Sequence, residues 1–284
     1  MKWFLCWVLS IYVMAFTAIA QPIVAVSIPP QKFLVEQIGG GAWSCVVVID
    51  KGQDPHLFEP TPRQLLALRK CDVYFKIGLP FESVLVDKLA KANPRLRVVG
   101  VTNAVDHAHG TKAHEDSVSD HEGDPHIWMS PDEIVELSAE IASELSILDP
   151  SAAATYSLRQ TVFAEKMLAL KQSLSKRLHQ AGIKTILVYH PAWGHFAEAF
   201  ELEQVAIEAQ GQTPGARHLD AVSEKVKQQD VKVMLVQSET ERRRIAAFAA
   251  RLGLRIAIVY PLAEDVVGTM RATVDALCGD STHE

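Results

Sequence analysis

From Ser151 to about Ala181 the chain contains neither glycine nor proline, and Tyr156, Phe163, Met167, Leu170, Leu174 and Leu178 follow one another at steps of three, four and seven residues. Residues so spaced share one face of a helix, so the pattern predicts a single long amphipathic helix that Gly182 ends. A helix of about 30 residues spans roughly 45 Å. A connection that stiff favours small relative motions of the parts it joins over wide hinge closure.

On either side of this helix, short β-branched runs alternate with helical patterns. Before it lie Ile23-Val24-Ala25-Val26-Ser27, Val46-Val47-Val48-Ile49, Val73-Tyr74-Phe75-Lys76-Ile77 and Leu96-Arg97-Val98-Val99. After it come Thr185-Ile186-Leu187-Val188-Tyr189, Val205-Ala206-Ile207, Val231-Lys232-Val233-Met234-Leu235-Val236 and Ile256-Ala257-Ile258-Val259-Tyr260. Continuous apolar runs of this length between helices indicate buried parallel strands. The expected fold class is therefore α/β, with two lobes joined by the long helix. Thr61-Pro62 predicts one helix start, and Ser130-Pro131-Asp132-Glu133 another with a cap and a reciprocal glutamate.

The first residues read as a targeting segment. Lys2 precedes an apolar stretch from Trp3 to Ala18, and Ala18-Ile19-Ala20 supplies a small-residue cleavage pattern before Gln21. The expectation is a signal peptide over residues 1–20 and a periplasmic mature protein of about 260 residues, a size that suits two lobes. A net charge of -6 without a basic block argues against a nucleic-acid partner. Cys6 leaves with the signal, and Cys45, Cys71 and Cys278 make an odd number that forms no disulfide framework. Cys45 and Cys71 sit in apolar segments, where a free cysteine acts as a small hydrophobe.

Chemistry concentrates in histidines. Asp54-Pro55-His56 and Asp124-Pro125-His126 repeat one tripeptide, and His190-Pro191 follows the strand ending at Tyr189. All three histidines fall on loops near the carboxyl ends of strands, where open α/β sheets place ligands. The neighbouring prolines restrict the backbone beside each ring. Taken singly, any one such histidine reads first as a hydrogen-bonded loop residue, but the repetition and matching placement favour a shared site. Three neutral imidazoles suit Zn2+ with a fourth ligand or water, whereas magnesium and calcium want oxygens. Glu59 reads either as a carboxylate orienting a ligand ring or as a charge at the start of the Thr61 helix. His195 reads as structural. Between Asp106 and Asp124 the chain carries His107, His109, His114 and His121 among carboxylates, a composition that fits a disordered loop with weak metal affinity.

Four stretches carry a resemblance. Asp54-Pro55-His56-Leu57-Phe58-Glu59-Pro60-Thr61-Pro62, Asp124-Pro125-His126-Ile127-Trp128-Met129-Ser130-Pro131, His190-Pro191-Ala192-Trp193-Gly194 and Pro261-Leu262-Ala263-Glu264-Asp265 stand in the order of the metal-specific solute-binding proteins of ABC importers, the ZnuA-like and TroA-like (cluster A-I) group. The resemblance implies two lobes of four-stranded parallel sheet with flanking helices and one rigid connecting helix. Metal would lie in the cleft between them. It divides the chain into a signal (1–20), an N-terminal lobe (21–150) with its His/acid-rich loop (106–124), a connecting helix (151–181) and a C-terminal lobe (182–284). His56 and His126 would come from the first lobe and His190 from the second, with an inner-membrane importer permease as partner and a monomeric carrier. The histidine-rich loop resembles the zinc branch.

One position departs from the family's pattern. Where members commonly place a carboxylate before Pro-Leu-Ala, this chain has Tyr260, a poor ligand when neutral. Water, a loop histidine, Glu59 and Glu239 remain as candidates for the fourth ligand. The rival readings are a manganese or iron carrier of the same family, a three-histidine zinc hydrolase and a surface adhesin. No His-Glu-x-x-His helix and no Gly-x-Ser-x-Gly elbow supports an enzyme, and no extended adhesive segment supports the adhesin.

Overall fold

The computed structural model describes residues 22–49, 53, 55, 58–100, 124–208 and 214–279. The expected signal peptide, His56 and residues 106–123 of the histidine-rich loop lie outside the described residues. Eight strands form two sheets. The first takes β1 (Ile23–Val26), β2 (Ser44–Val47), β3 (Val73–Lys76) and β4 (Arg97–Gly100) in the order β2-β1-β3-β4. The second takes β5 (Thr185–Val188), β6 (Glu203–Ala206), β7 (Val233–Val236) and β8 (Arg255–Ile258) in the equivalent order β6-β5-β7-β8. Every pairing is parallel.

Parallel strands require crossovers, and helices supply them. In the first half these are α1 (Pro29–Gly39), α2 (Pro62–Leu68) and α3 (Glu82–Ala92), followed by α4 (Pro131–Leu148). In the second half α6 (Gly194–Ala199), α7 (Ala216–Gln228) and α8 (Glu239–Arg251) link the strands, and α9 (Val266–Cys278) closes the chain. Between the halves runs α5, Ala153–Gln180, with 28 residues. Its buried positions are the six that the spacing singled out, Tyr156, Phe163, Met167, Leu170, Leu174 and Leu178. Burying each Leu, Met or Phe there contributes about 1.5–3 kcal/mol.

Side chains alternate across the second sheet. Ile186, Val188, Val233 and Leu235 join one core with α5, α9 and the first sheet, while Leu187, Met234 and Val236 join a smaller cluster with Val222, Val226, Ile245 and Phe248 of α7 and α8. Both faces are covered, which is why these strands read as unbroken apolar runs. The larger core runs continuously through both sheets and α5, so the halves pack as well as connect. No described helix is long and apolar enough to cross a membrane.

The helix starts follow their predicted caps with one difference. Thr61 Oγ1 accepts the Gln64 N–H, and Gln64 answers with its side-chain oxygen on the Thr61 N–H. Ser130 Oγ accepts the Glu133 N–H, but Ser130 N–H donates to the Ile127 carbonyl at 3.0 Å, which closes the turn before α4 and takes the donor that a reciprocal glutamate would need. The carboxyl ends of β1 and β3 are tied by Glu82, 2% exposed, whose carboxylate accepts N–H bonds from Ile77, Gly78 and Leu79 and a bond from Ser27 Oγ. Burial pushes the Glu82 carboxyl up, and these donors pull it back.

Candidate metal centre

Asp124, Pro125 and His126 lead directly into the turn Ile127–Met129. Ile127, Trp128 and Met129 are each at most 2% exposed, so this turn is anchored in the core and His126 has a fixed base. The Asp124 side chain folds back as an Asx turn: Oδ1 accepts the His126 N–H at 2.9 Å and the ring Nδ1–H at 2.6 Å. Burial opposes the Asp124 charge, but the bonds and positive potential of His126 outweigh it and hold the carboxyl below its ordinary value. An ionised carboxylate only accepts, so Nδ1 carries the proton of this pair.

His190 is held in the same way from another part of the chain. The β5–β6 ladder continues past both strands through Ile207 N–H to the Val188 carbonyl (2.9 Å) and Glu208 N–H to the Tyr189 carbonyl (2.8 Å). That pairing sets Glu208 beside His190, whose Nδ1–H donates to Oε2 at 2.7 Å. The His126 and His190 rings meet edge to face with centroids 5.4 Å apart. Each ring therefore belongs to a carboxylate–histidine pair of the kind that orients metal ligands.

The rings line a cleft of about 320 Å³ together with Glu208, Glu241, Arg244 and Tyr260. Gln53, just before the tripeptide that contains His56, and Pro55 within it line the cleft as well. Among the described residues, histidines, cysteines and carboxylates do not by themselves close into a set of three ligands. Three ties hold the two sides of the cleft together. Trp128 Nε1–H donates to the Pro261 carbonyl at 3.0 Å, His195 Nε2–H donates to the Asp124 carbonyl at 3.0 Å, and Lys32 meets Glu264 at 2.9 Å.

The carboxylates that attend the cleft differ from those the sequence singled out. Glu59 is exposed and does not line the cleft. Glu239 is turned to Arg242 in a two-pronged pair at 2.6 Å and does not line it either. Asp124 and Glu208 are the ring partners, and Glu241 is the acid of α8 that faces the cleft. Burial pushes the Glu241 carboxyl up, with Glu208 adding to the shift and the Gln237 N–H and His190 opposing it. Asp124 had a local signal in its own tripeptide, an aspartate two residues before a histidine. Glu208 had none, because its place depends on strand pairing.

A pair of equivalent four-stranded parallel sheets over one core, with two carboxylate-held histidines meeting in a cleft, defines a two-lobed α/β protein. The model of the family described as "ZnuA: Zinc-uptake complex component A periplasmic" matches residues 24–278, and the chain belongs to that family. The family is one of solute-binding proteins rather than enzymes. Among curated proteins, the chain is 25% identical over 254 residues to "Zinc-binding lipoprotein AdcA" of Streptococcus pneumoniae, a match that covers 84% of this chain and 50% of the relative. The chain thus spans about half the length of that relative. Among solved structures, it is similar to a crystal structure of ZnuA with a TM-score of 0.79 and 31% identity, covering 91% of this chain and 98% of the other. It is also similar to a ZnuA deletion mutant with zinc bound, with a TM-score of 0.78 and 30% identity, covering 93% and 99%.

Proposed function

We propose that this chain captures Zn2+ outside the cytoplasm and delivers it to the permease of an ABC importer, holding the ion on His56, His126 and His190. The observation that carries this reading is the pair of rings 5.4 Å apart, each with Nδ1 engaged by a carboxylate. Two such rings present neutral Nε2 atoms, and zinc binds histidine nitrogen at about 2.0–2.1 Å. Pro55, beside His56, lines the same cleft, which supports a third imidazole from that loop. Relatives named for zinc binding and zinc uptake support the choice of metal.

In this reading residues 1–20 are a cleaved signal, the mature protein acts as a monomer in the periplasm, and the loop 106–124 gathers zinc weakly before the ordered site takes it. Residues 21–150 and 182–284 form the lobes and 151–181 the connection. Ligands from both lobes supply a route for release, because a small displacement on docking breaks the coordination shell. The continuous core limits the motion to that scale.

Competitive titration of the mature protein with zinc and manganese tests the assignment. One tight zinc site is expected. Tight binding of manganese in preference to zinc would overturn it in favour of a manganese carrier of the same family.

A further inference from the structure

His195 follows His190 by five residues and bonds to the tripeptide of His126. We infer that His195 is a positioning residue: its bond to the Asp124 carbonyl fixes the turn that carries His126 against the segment that carries His190, and so sets the spacing of the two rings. Its bearing on zinc rests on the histidine site proposed above, whereas the ring spacing rests on described residues alone.

Both ends of the link have fixed bases. On the His190 side, Ala192 N–H donates to the His190 carbonyl at 2.8 Å, and Trp193 N–H donates to Gln204 Oε1 at 2.8 Å. The Trp193 indole is fully buried and donates to Thr273 Oγ1 at 3.3 Å. The segment from His190 to the first turn of α6 is thus pinned to β6 and α9. On the His126 side, the turn Ile127–Met129 is buried, and α6 packs against it.

The atom that His195 holds decides its role. A carbonyl only accepts, so Nε2 of His195 carries the proton it gives to Asp124 at 3.0 Å. Asp124 spends its carboxylate on the His126 main chain and ring. One aspartate therefore reaches His126 through its side chain, and through its carbonyl it reaches His195 and the pinned segment of His190. The other two ties end on Pro261 and Glu264, in the loop after β8, so of the three only His195 joins the tripeptide to the His190 segment. A hydrogen bond fixes distance and direction together, which apolar contact does not.

Two measurements on the mature protein test this. In the metal-free protein with isotope-labelled histidine, the rings of His126 and His190, edge to face with centroids 5.4 Å apart, should give a nuclear Overhauser cross-peak. In the zinc-loaded protein, transfer to excess chelator in stopped flow reads the release rate. H195F keeps a ring and removes the donor, H195L is a second donor-free variant should H195F not fold, and H195Q restores a donor near the place of Nε2. The donor-free variants are expected to weaken the cross-peak and to release zinc about 2–10-fold faster, the worth of one hydrogen bond. H195Q should match the wild type in both. A wild-type cross-peak and release rate in the donor-free variants would overturn the inference, whatever their melting temperatures, and so would equal effects in H195Q. H190A separates this inference from the zinc site: if it holds zinc as the wild type does, the histidine site falls, and the metal-free cross-peak still decides the role of His195.

Discussion

The indole Nε1–H of Trp128, in the turn after His126, donates to the main-chain carbonyl of Pro261, next to Tyr260, across 3.0 Å. Trp128 is 1% exposed, so this bond joins the two sides of the cleft where water does not compete. W128F keeps most of the ring and removes the donor, leaving a buried carbonyl without its partner. The expected loss of stability is about 1–3 kcal/mol, read as a lower urea midpoint with an unchanged slope. An unchanged midpoint would mean that this bond does not contribute to holding the two sides of the cleft together.

The rings of His126 and His190 owe their orientation to Asp124 and Glu208. D124N and E208Q keep the side-chain shapes but remove the charge that fixes the Nδ1–H tautomer. Each is expected to lower zinc affinity by about 10–100-fold with the fold intact by circular dichroism. Wild-type affinity in both would show that the rings are positioned by their backbones.

Acid stability should report Asp124 directly. Its carboxyl is held below the ordinary value in the folded protein, after the opposing effect of burial is outweighed by His126. A carboxyl with a depressed folded value contributes stability above its unfolded pKa, about 3.9, and loses it as pH falls through the folded value. The metal-free wild type should therefore lose stability below about pH 4 more steeply than D124N. Parallel curves would remove Asp124 from the acid transition.

The thiols of Cys45 and Cys71 should be inert in the native state. Cys45 and Cys71 are both free, and burial pushes each thiol up to about 12, with Glu36 adding at Cys45 and Asp72 at Cys71. The thiolate is the reactive form. Alkylation of Cys45 and Cys71 at pH 8 is expected to be slow in the folded protein and rapid in denaturant. Rapid native labelling of Cys71 would show that its segment opens.

The architecture was legible because it rests on periodicity. The six apolar positions of α5 and the eight β-branched runs are local patterns, and burial on both sheet faces is what makes them continuous. Strand limits shifted by a few residues, as where β2 is Ser44–Val47 and the ladder continues through Val48 and Ile49. His126 drew attention through a repeated tripeptide and His190 through its place after a strand, whereas their carboxylate partners were less visible in the sequence. Glu208 reaches His190 only because β6 pairs with β5. Glu239 and Glu241 look alike in sequence, yet two residues on a helix are turned by about 200°, so one faces Arg242 and the other the cleft.

The most direct test is anomalous diffraction at the zinc absorption edge from crystals of the zinc-loaded mature protein. The expected result is one strong peak about 2.0–2.1 Å from nitrogens of His56, His126 and His190, bridging the two sides of the cleft. A peak only among His107, His109, His114 and His121, with none between His126 and His190, would contradict the assignment of the ordered site.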